Sequence, residues 1–157
     1  MNLKEKAVLF FATGFFVGKV PFAPGTFGTV LGLPLCFLLT KIGFFRAVLF
    51  TAIFVIAAIW ASHRAQQILK QNDPACIVID EISGLMITML GLPLNAVSIL
   101  LGFIVFRAFD IIKPFPICYL DKKISGGAGI VLDDVVAGIF SNLVLRIIFL
   151  LKMNVGI

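Results

Sequence analysis

The chain has 157 residues, 61% hydrophobic and only 13% charged, with a mean hydropathy of +1.13 and a formal net charge of +5. Soluble domains are about half apolar and about a quarter charged, and one soluble core of this size could not bury so many apolar side chains, so the composition points to a membrane protein of one domain, residues 1–157. The basic residues are scattered rather than gathered into a stripe, which excludes a nucleic-acid interface, while a positive balance suits anionic lipid.

The rarer residues narrow the chemistry. Cys36, Cys76 and Cys118 share no metal-ligand spacing, and their odd number argues against a disulfide framework. The residues six positions downstream are Ile42, Ile82 and Ile124, so no C-x5-R phosphatase loop is present. His63 is the only histidine, which argues against a His-activated nucleophile or a multi-His metal site.

In chain order, Lys4 and Lys6 precede AVLFFATGFFVG, a stretch too short to span a bilayer core of about 30 Å; it reads as an interfacial or half-inserted helix. PFAPGTFGT (21–29) interrupts the helical pattern with Pro and Gly and reads as a loop that can offer N–H groups and the Thr26 hydroxyl to an anion. Apolar runs at 30–40 and 47–61, joined by KIGFFR, predict a helical hairpin, with a kink at Pro34. The hairpin brings Thr26 and Ser62 to one side, and residues 62–72 are polar.

DPACIVIDEISG (73–84) then carries Asp73 and the pair Asp80–Glu81. A helix N-cap with an acidic first turn accounts for one carboxylate of the pair and leaves the other over. The apolar run from Ile82 to Phe106 is broken by GLPLN (91–95) into halves too short to cross alone. It is either one kinked span or a re-entrant hairpin. The hairpin is favoured by charge bias, since it puts Lys19, Arg64, Lys70, Arg107, Lys113, Lys122 and Lys123 on one side, against Lys41, Arg46 and Lys152 on the other.

FRAFDIIKPFP (106–116) places Arg107, Asp110 and Lys113 three residues apart along one helix edge, and Pro114 ends that helix. Charges on so apolar a chain are costly, and three on one edge point to a site. In ISGGAGIVLDD (124–134), Gly126 and Gly127 belong to a loop whose backbone can approach phosphate, although the G-K-[ST] ending of a Walker loop is absent. Asp133 and Asp134 open the last apolar helix, and Arg146 inside it pairs with another residue or snorkels to an interface.

Six of the eight acidic residues, Asp73, Asp80, Glu81, Asp110, Asp133 and Asp134, thus lie beside membrane segments. Hard oxygen ligands of this kind suit Mg²⁺, which takes one or two carboxylates plus waters and substrate phosphate. Arg107 and Lys113 supply a planar fork and a point charge for phosphate. The set fits metal-assisted phosphoryl chemistry.

With PFAPGTFGT, DPACIVIDEISGLMIT, FRAFDIIKPFPI and GGAGIVLDDVVAG in this order, the chain resembles the phosphatidylglycerophosphatase A family. The resemblance implies a bacterial inner-membrane enzyme that uses Mg²⁺ to convert phosphatidylglycerol phosphate to phosphatidylglycerol. It also places Asp73, Asp80, Glu81, Arg107, Asp110, Lys113, Asp133 and Asp134 on the family's charged motif positions. The expected fold is all-α, a compact polytopic membrane helix bundle with short, broken or re-entrant helices. Its active site would be on the cytoplasmic side, with membrane lipids as surroundings. The expected metal ligands are Asp80, Glu81, Asp133 and Asp134, with one of them as a candidate base; Asp110 binds metal or orients Arg107; Arg107, Lys113, Thr26, Gly126 and Gly127 hold phosphate. The signatures of haloacid-dehalogenase and type-2 phosphatidic acid phosphatases are absent. The rival class is a small ion or proton transporter subunit with intramembrane carboxylates. The phosphatase reading requires the carboxyl groups of Asp80 or Glu81 and of Asp133 or Asp134 to lie within about 8 Å, a span one hydrated ion bridges.

Overall fold

The computed structural model describes residues 1–155; the side chains at 121, 122 and 153–155 fall outside the description, and with them Lys122 of the charge count above. Every described regular element is a helix: α1 (Leu3–Ala12), α2 (Pro24–Leu31), α3 (Leu33–Lys41), α4 (Phe44–Leu69), α5 (Ile79–Met89), α6 (Ala96–Ile112), α7 (Ile117–Lys123) and α8 (Gly127–Val155), with one 3₁₀ turn at Val17–Lys19. Among the described residues two helices, α4 and α8, are long and apolar enough to cross a membrane. At 26 and 29 residues they rise about 39 and 43 Å, and much of their apolar surface faces outward.

The N-terminal stretch is a short helix, as expected, and an Asn2–Glu5 capping box starts it. Two of the expected breaks are helix starts instead. Pro24 and Pro34 sit in the first turns of α2 and α3, where a missing N–H removes no helical hydrogen bond. PFAPGTFGT is therefore mostly the first turns of α2 rather than a loop, and the 30–40 run is divided at Gly32, just before Pro34. The polar stretch from Ser62 is the last part of α4, which continues to Leu69.

The GLPLN segment ends α5 and starts α6, with Asn95 accepting from Ser98 N at 2.9 Å as the N-cap. α5 rises only about 16 Å over its 11 residues. The chain then returns, so that Arg107 late in α6 reaches Glu81 in the first turn of α5, 4.0 Å from Nη1 to Oε1. The pair is a helical hairpin rather than one kinked span. A break at such depth frees carbonyl groups that must be satisfied by protein or water. Here α8 does it: the Asn142 amide donates to Ile87 O (3.2 Å), Thr88 O (2.8 Å) and Leu90 O (3.0 Å). Arg146 adds a bond to Leu90 O at 3.0 Å and holds Asn142 Oδ1 at 2.7 Å. Of its two expected roles Arg146 takes the first: it pairs with Asn142 and, through Leu90 O, caps the break.

α5 packs on α8 through a glycine contact. A Cβ at Gly138 would meet Gly84 O at 2.5 Å, and one at Gly84 would overlap Phe106 and come within 3.0 Å of Asp134 O. Gly84 follows Asp80 by four residues and Gly138 follows Asp134 by four, so on each helix the glycine shares a face with the carboxylate one turn before it. Close backbones at the glycines bring the carboxylates together. Fully buried Phe106, Leu85, Met86 and Ile117 fill the core around this contact.

Candidate active site

A cavity of about 840 Å³ opens where α2, α4, α5, α6 and α8 converge. α5 contributes Asp80 and Glu81 from its first turn, α6 contributes Arg107, Asp110 and Lys113, and α8 contributes Asp133 and Asp134. Thr26 stands on α2, Gly126 in the α7–α8 loop, and Asp73 in the exposed loop before α5, with φ +51°. Six carboxylates and two cations line the space, a formal charge of −4 when all are ionised, within a chain of net +5.

Asp80, Glu81 and Asp134 form the centre: one oxygen from each lies within 4.8 Å of the others. This meets the 8 Å expectation. Asp80 Oδ1 and Glu81 Oε2 are buried with no hydrogen-bond partner, although buried polar groups are ordinarily paired. Burial first, then the adjacent Glu81 charge, pushes the Asp80 carboxyl well above the usual carboxylate range. Burial pushes Glu81 up as well, against a lowering hydrogen bond from Asp80. Orphaned oxygens on crowded, desolvated carboxylates are what a site for a hard divalent cation requires, so the residues fit Mg²⁺.

Each cation is tied to its own carboxylate. Arg107 Nη1 donates to Asp110 Oδ2 across one helical turn, and Arg107 Nε is buried without a partner. Lys113 is the α6 C-cap in the left-handed conformation (φ +45°), which turns it off the helix edge and toward α8, where Nζ bonds Asp133 Oδ2 at 2.6 Å. Asp133 is therefore grouped with Lys113, and Asp134 alone of that pair joins the cluster. Adjacent helical residues point about 100° apart, so the two could not share a direction. Nor do they open the helix: α8 begins at Gly127.

Two phosphate-binding expectations change. Gly127 is outside the cavity lining; a Cβ there would overlap Ile59 O and His63 of α4, so this glycine serves helix packing. Gly126 does line the cavity, with φ +77°. Thr26 N bonds Ala23 O at 3.0 Å, which leaves its hydroxyl as the group it can offer. Sequence reasoning missed Gly25, Gln66 and Asn72. A Cβ at Gly25 would fall on Glu81 Oε1 and within 3.0 Å of Arg107 Nη1, so only glycine lets α2 approach the ion pair. Gln66 and Asn72 carry no charge to draw notice, yet they form the neutral part of the lining.

The sequence profile described as phosphatidylglycerophosphatase A matches residues 10–149, a stretch that holds every one of these side chains. The chain belongs to the phosphatidylglycerophosphatase A family. It is 34% identical to the Escherichia coli phosphatidylglycerophosphatase A over 131 residues, covering 83% of this chain and 76% of that one. It is 38% identical to the Haemophilus influenzae phosphatidylglycerophosphatase A over 135 residues, covering 85% and 83%. A Bacteroides thetaiotaomicron protein with the provisional name phosphatidylinositol-3-phosphatase is 35% identical over 147 residues, covering 86% and 89%. No solved structure gives a significant match. All four motifs that carry the family resemblance contribute residues to the one cavity.

Proposed function

We propose that this member of the family is a Mg²⁺-dependent lipid phosphatase of phosphatidylglycerol biosynthesis. It hydrolyses the phosphate monoester of phosphatidylglycerol phosphate to phosphatidylglycerol and inorganic phosphate. The observation that carries the reading is the juxtaposition, in one cavity, of the Asp80–Glu81–Asp134 cluster with Arg107 and Lys113. Asp80, Glu81 and Asp134 would hold the ion, which when bound supplies Lewis acidity toward phosphate and neutralises its charge. Arg107 binds phosphate oxygens with the donors that Asp110 leaves open, and Asp110 fixes its plane. Lys113, oriented by Asp133, adds a second positive charge. The Thr26 hydroxyl and the backbone at Gly126 face the same space. Water is added across the ester bond: its oxygen bonds to phosphorus, the P–O bond to the lipid glycerol breaks, and a proton ends on the departing glycerol oxygen. One of the cavity carboxylates accepts the water proton. Asp73, at the rim, bounds the entrance.

The chain would sit as a multi-pass protein in the bacterial inner membrane. α4 and α8 cross, α1 lies at the interface and the α5–α6 hairpin enters part way. The cavity end carries Lys19, Arg64, Lys70, Arg107, Lys113 and Lys123, and the far end Lys41, Arg46, Arg146 and Lys152, a bias that supports a cytoplasmic site. A transporter would need carboxylates spaced along a path across the bilayer; these six line one cavity. The name of the Bacteroides relative favours a second substrate reading, an inositol lipid phosphate. Phosphate release by the purified chain in detergent with Mg²⁺, offered phosphatidylglycerol phosphate and phosphatidylinositol 3-phosphate separately, decides between them. Faster turnover of the first is expected. Turnover of the inositol lipid alone would replace the substrate assignment, and release from neither would overturn the function.

A further inference from the structure

A second cavity, about 590 Å³, lies between α1 and α4 and shares no lining residue with the first. Its volume is within the roughly 300–1,000 Å³ of small-molecule sites. Ile79 closes one wall, while the next residue, Asp80, faces the carboxylate cavity. The walls are apolar: Val8 and Phe11 from α1, Phe54, Ala57 and Trp60 from α4. Phe11 and Trp60 remain 57% and 59% exposed, so the groove is open on its outer side.

The polar residues of this groove are not distributed evenly in sign. Lys4 from α1 and Arg64 from α4 both line it, both are exposed, and among the described residues neither forms an ion pair. The one acid, Glu5, is engaged in the α1 capping box, accepting from Asn2 N at 2.9 Å. Arg64 gives one donor to Gln67 Oε1 and a guanidinium has four more. An apolar trough with cations on both walls matches a molecule with a long apolar tail and an anionic head. A zwitterionic lipid would bring its own ammonium against Lys4 and Arg64; an anionic one would not.

We propose that the α1–α4 groove binds an anionic phospholipid, its acyl chain along Phe11, Phe54 and Trp60 and its phosphate on Lys4 and Arg64, at a site separate from the carboxylate cavity. The lipid holds α1 against the bundle from outside. This requires only that the chain be membrane-embedded and is independent of the reaction assigned above.

Trp60 is the only tryptophan, so its fluorescence reports on this groove. The full chain is placed in phosphatidylcholine nanodiscs that contain a small fraction of lipid brominated on its acyl chain, either phosphatidylglycerol or phosphatidylcholine. The brominated anionic lipid should be enriched near Trp60 by roughly fivefold or more, the effect expected of a nearby cation. Lys4→Ala and Arg64→Ala, both at exposed positions, should each reduce the preference, and together abolish it. Quenching by the brominated phosphatidylcholine should stay unchanged in the variants, which shows that the groove still accepts a chain. Equal quenching of the parent by the two lipids, or a preference that survives both substitutions, overturns the proposal.

Discussion

Two arginines on apolar helices, Arg107 and Arg146, separate the two ends of the molecule. Among the described residues Arg146 meets neutral acceptors, Leu90 O and Asn142 Oδ1, and with Asn142 it satisfies the carbonyls freed where α5 stops. Arg107 sits among carboxylates, paired with Asp110 and 4.0 Å from Glu81, and keeps a buried donor unpartnered. Around Asn142 and Arg146 the donors go to the backbone break, directly or through Asn142, and the result is structure. At the cavity end donors and acceptors are left over, and the result is a site. The glycine contact between α5 and α8 connects the two, since it holds the helices that carry both arrangements.

The contrast can be broken from either end. The largest effect is expected from Asp80→Asn or Asp134→Asn. Each removes a ligand charge from the cluster, and phosphate release should fall on the order of 100-fold or more, since a lost metal contact costs several kcal/mol of transition-state stabilisation. Thermal unfolding without metal should not drop, because an unbalanced buried carboxylate is removed; a lowered unfolding midpoint would make these carboxylates structural. Next comes Arg107→Lys, which keeps charge but loses the fork. Turnover should fall roughly tenfold, the worth of one charge-assisted hydrogen bond, and a loss no larger than that of Lys41→Ala, at the far end, would remove Arg107 from phosphate binding.

Gly138→Ala sharpens the comparison at its middle. The added methyl meets Gly84 O and pushes the helices apart, so the Mg²⁺ concentration for half-maximal activity should rise by several-fold with a smaller change in saturated turnover. An unchanged Mg²⁺ requirement would separate the glycine contact from the cluster geometry. The smallest effect on chemistry is expected of Asn142→Ala. It takes the Asn142 donor from the part-buried Thr88 O, at a cost of about 1–3 kcal/mol, so the unfolding midpoint should fall while turnover per folded molecule stays within about twofold. Loss of turnover without loss of stability would mean that the far end takes part in the reaction.

Much of the site was legible because charge is expensive on an apolar chain: Asp80, Glu81, Asp110, Asp134, Arg107 and Lys113 stand out against their surroundings. The hairpin was legible from Gly91 and Pro93, since neither continues a helix easily. What stayed hidden depends on contacts distant in sequence or on direction. Arg146 stands out as a charge in an apolar helix, but the Leu90 O that it and Asn142 share lies more than 50 positions away, and nothing local marks Asn142 at all. The division of Asp133 from Asp134 follows from helix phase, which could not be set while α8 was expected to begin after them. Pro24 and the glycines of α2 read as a loop because the same residues serve helix starts and close approaches. Gly127 carries the same ambiguity between a phosphate contact and a close helix approach.

The central claim is that Asp80, Glu81 and Asp134 are brought together to hold a divalent cation. It is tested most directly by stripping the purified chain with excess chelator, measuring phosphate release from phosphatidylglycerol phosphate in detergent, and then restoring Mg²⁺ or supplying Ca²⁺. Release should stop with chelator, return with Mg²⁺, and return poorly with Ca²⁺, whose longer and looser coordination suits the compact cluster less well. Full turnover in the presence of excess chelator would contradict the account.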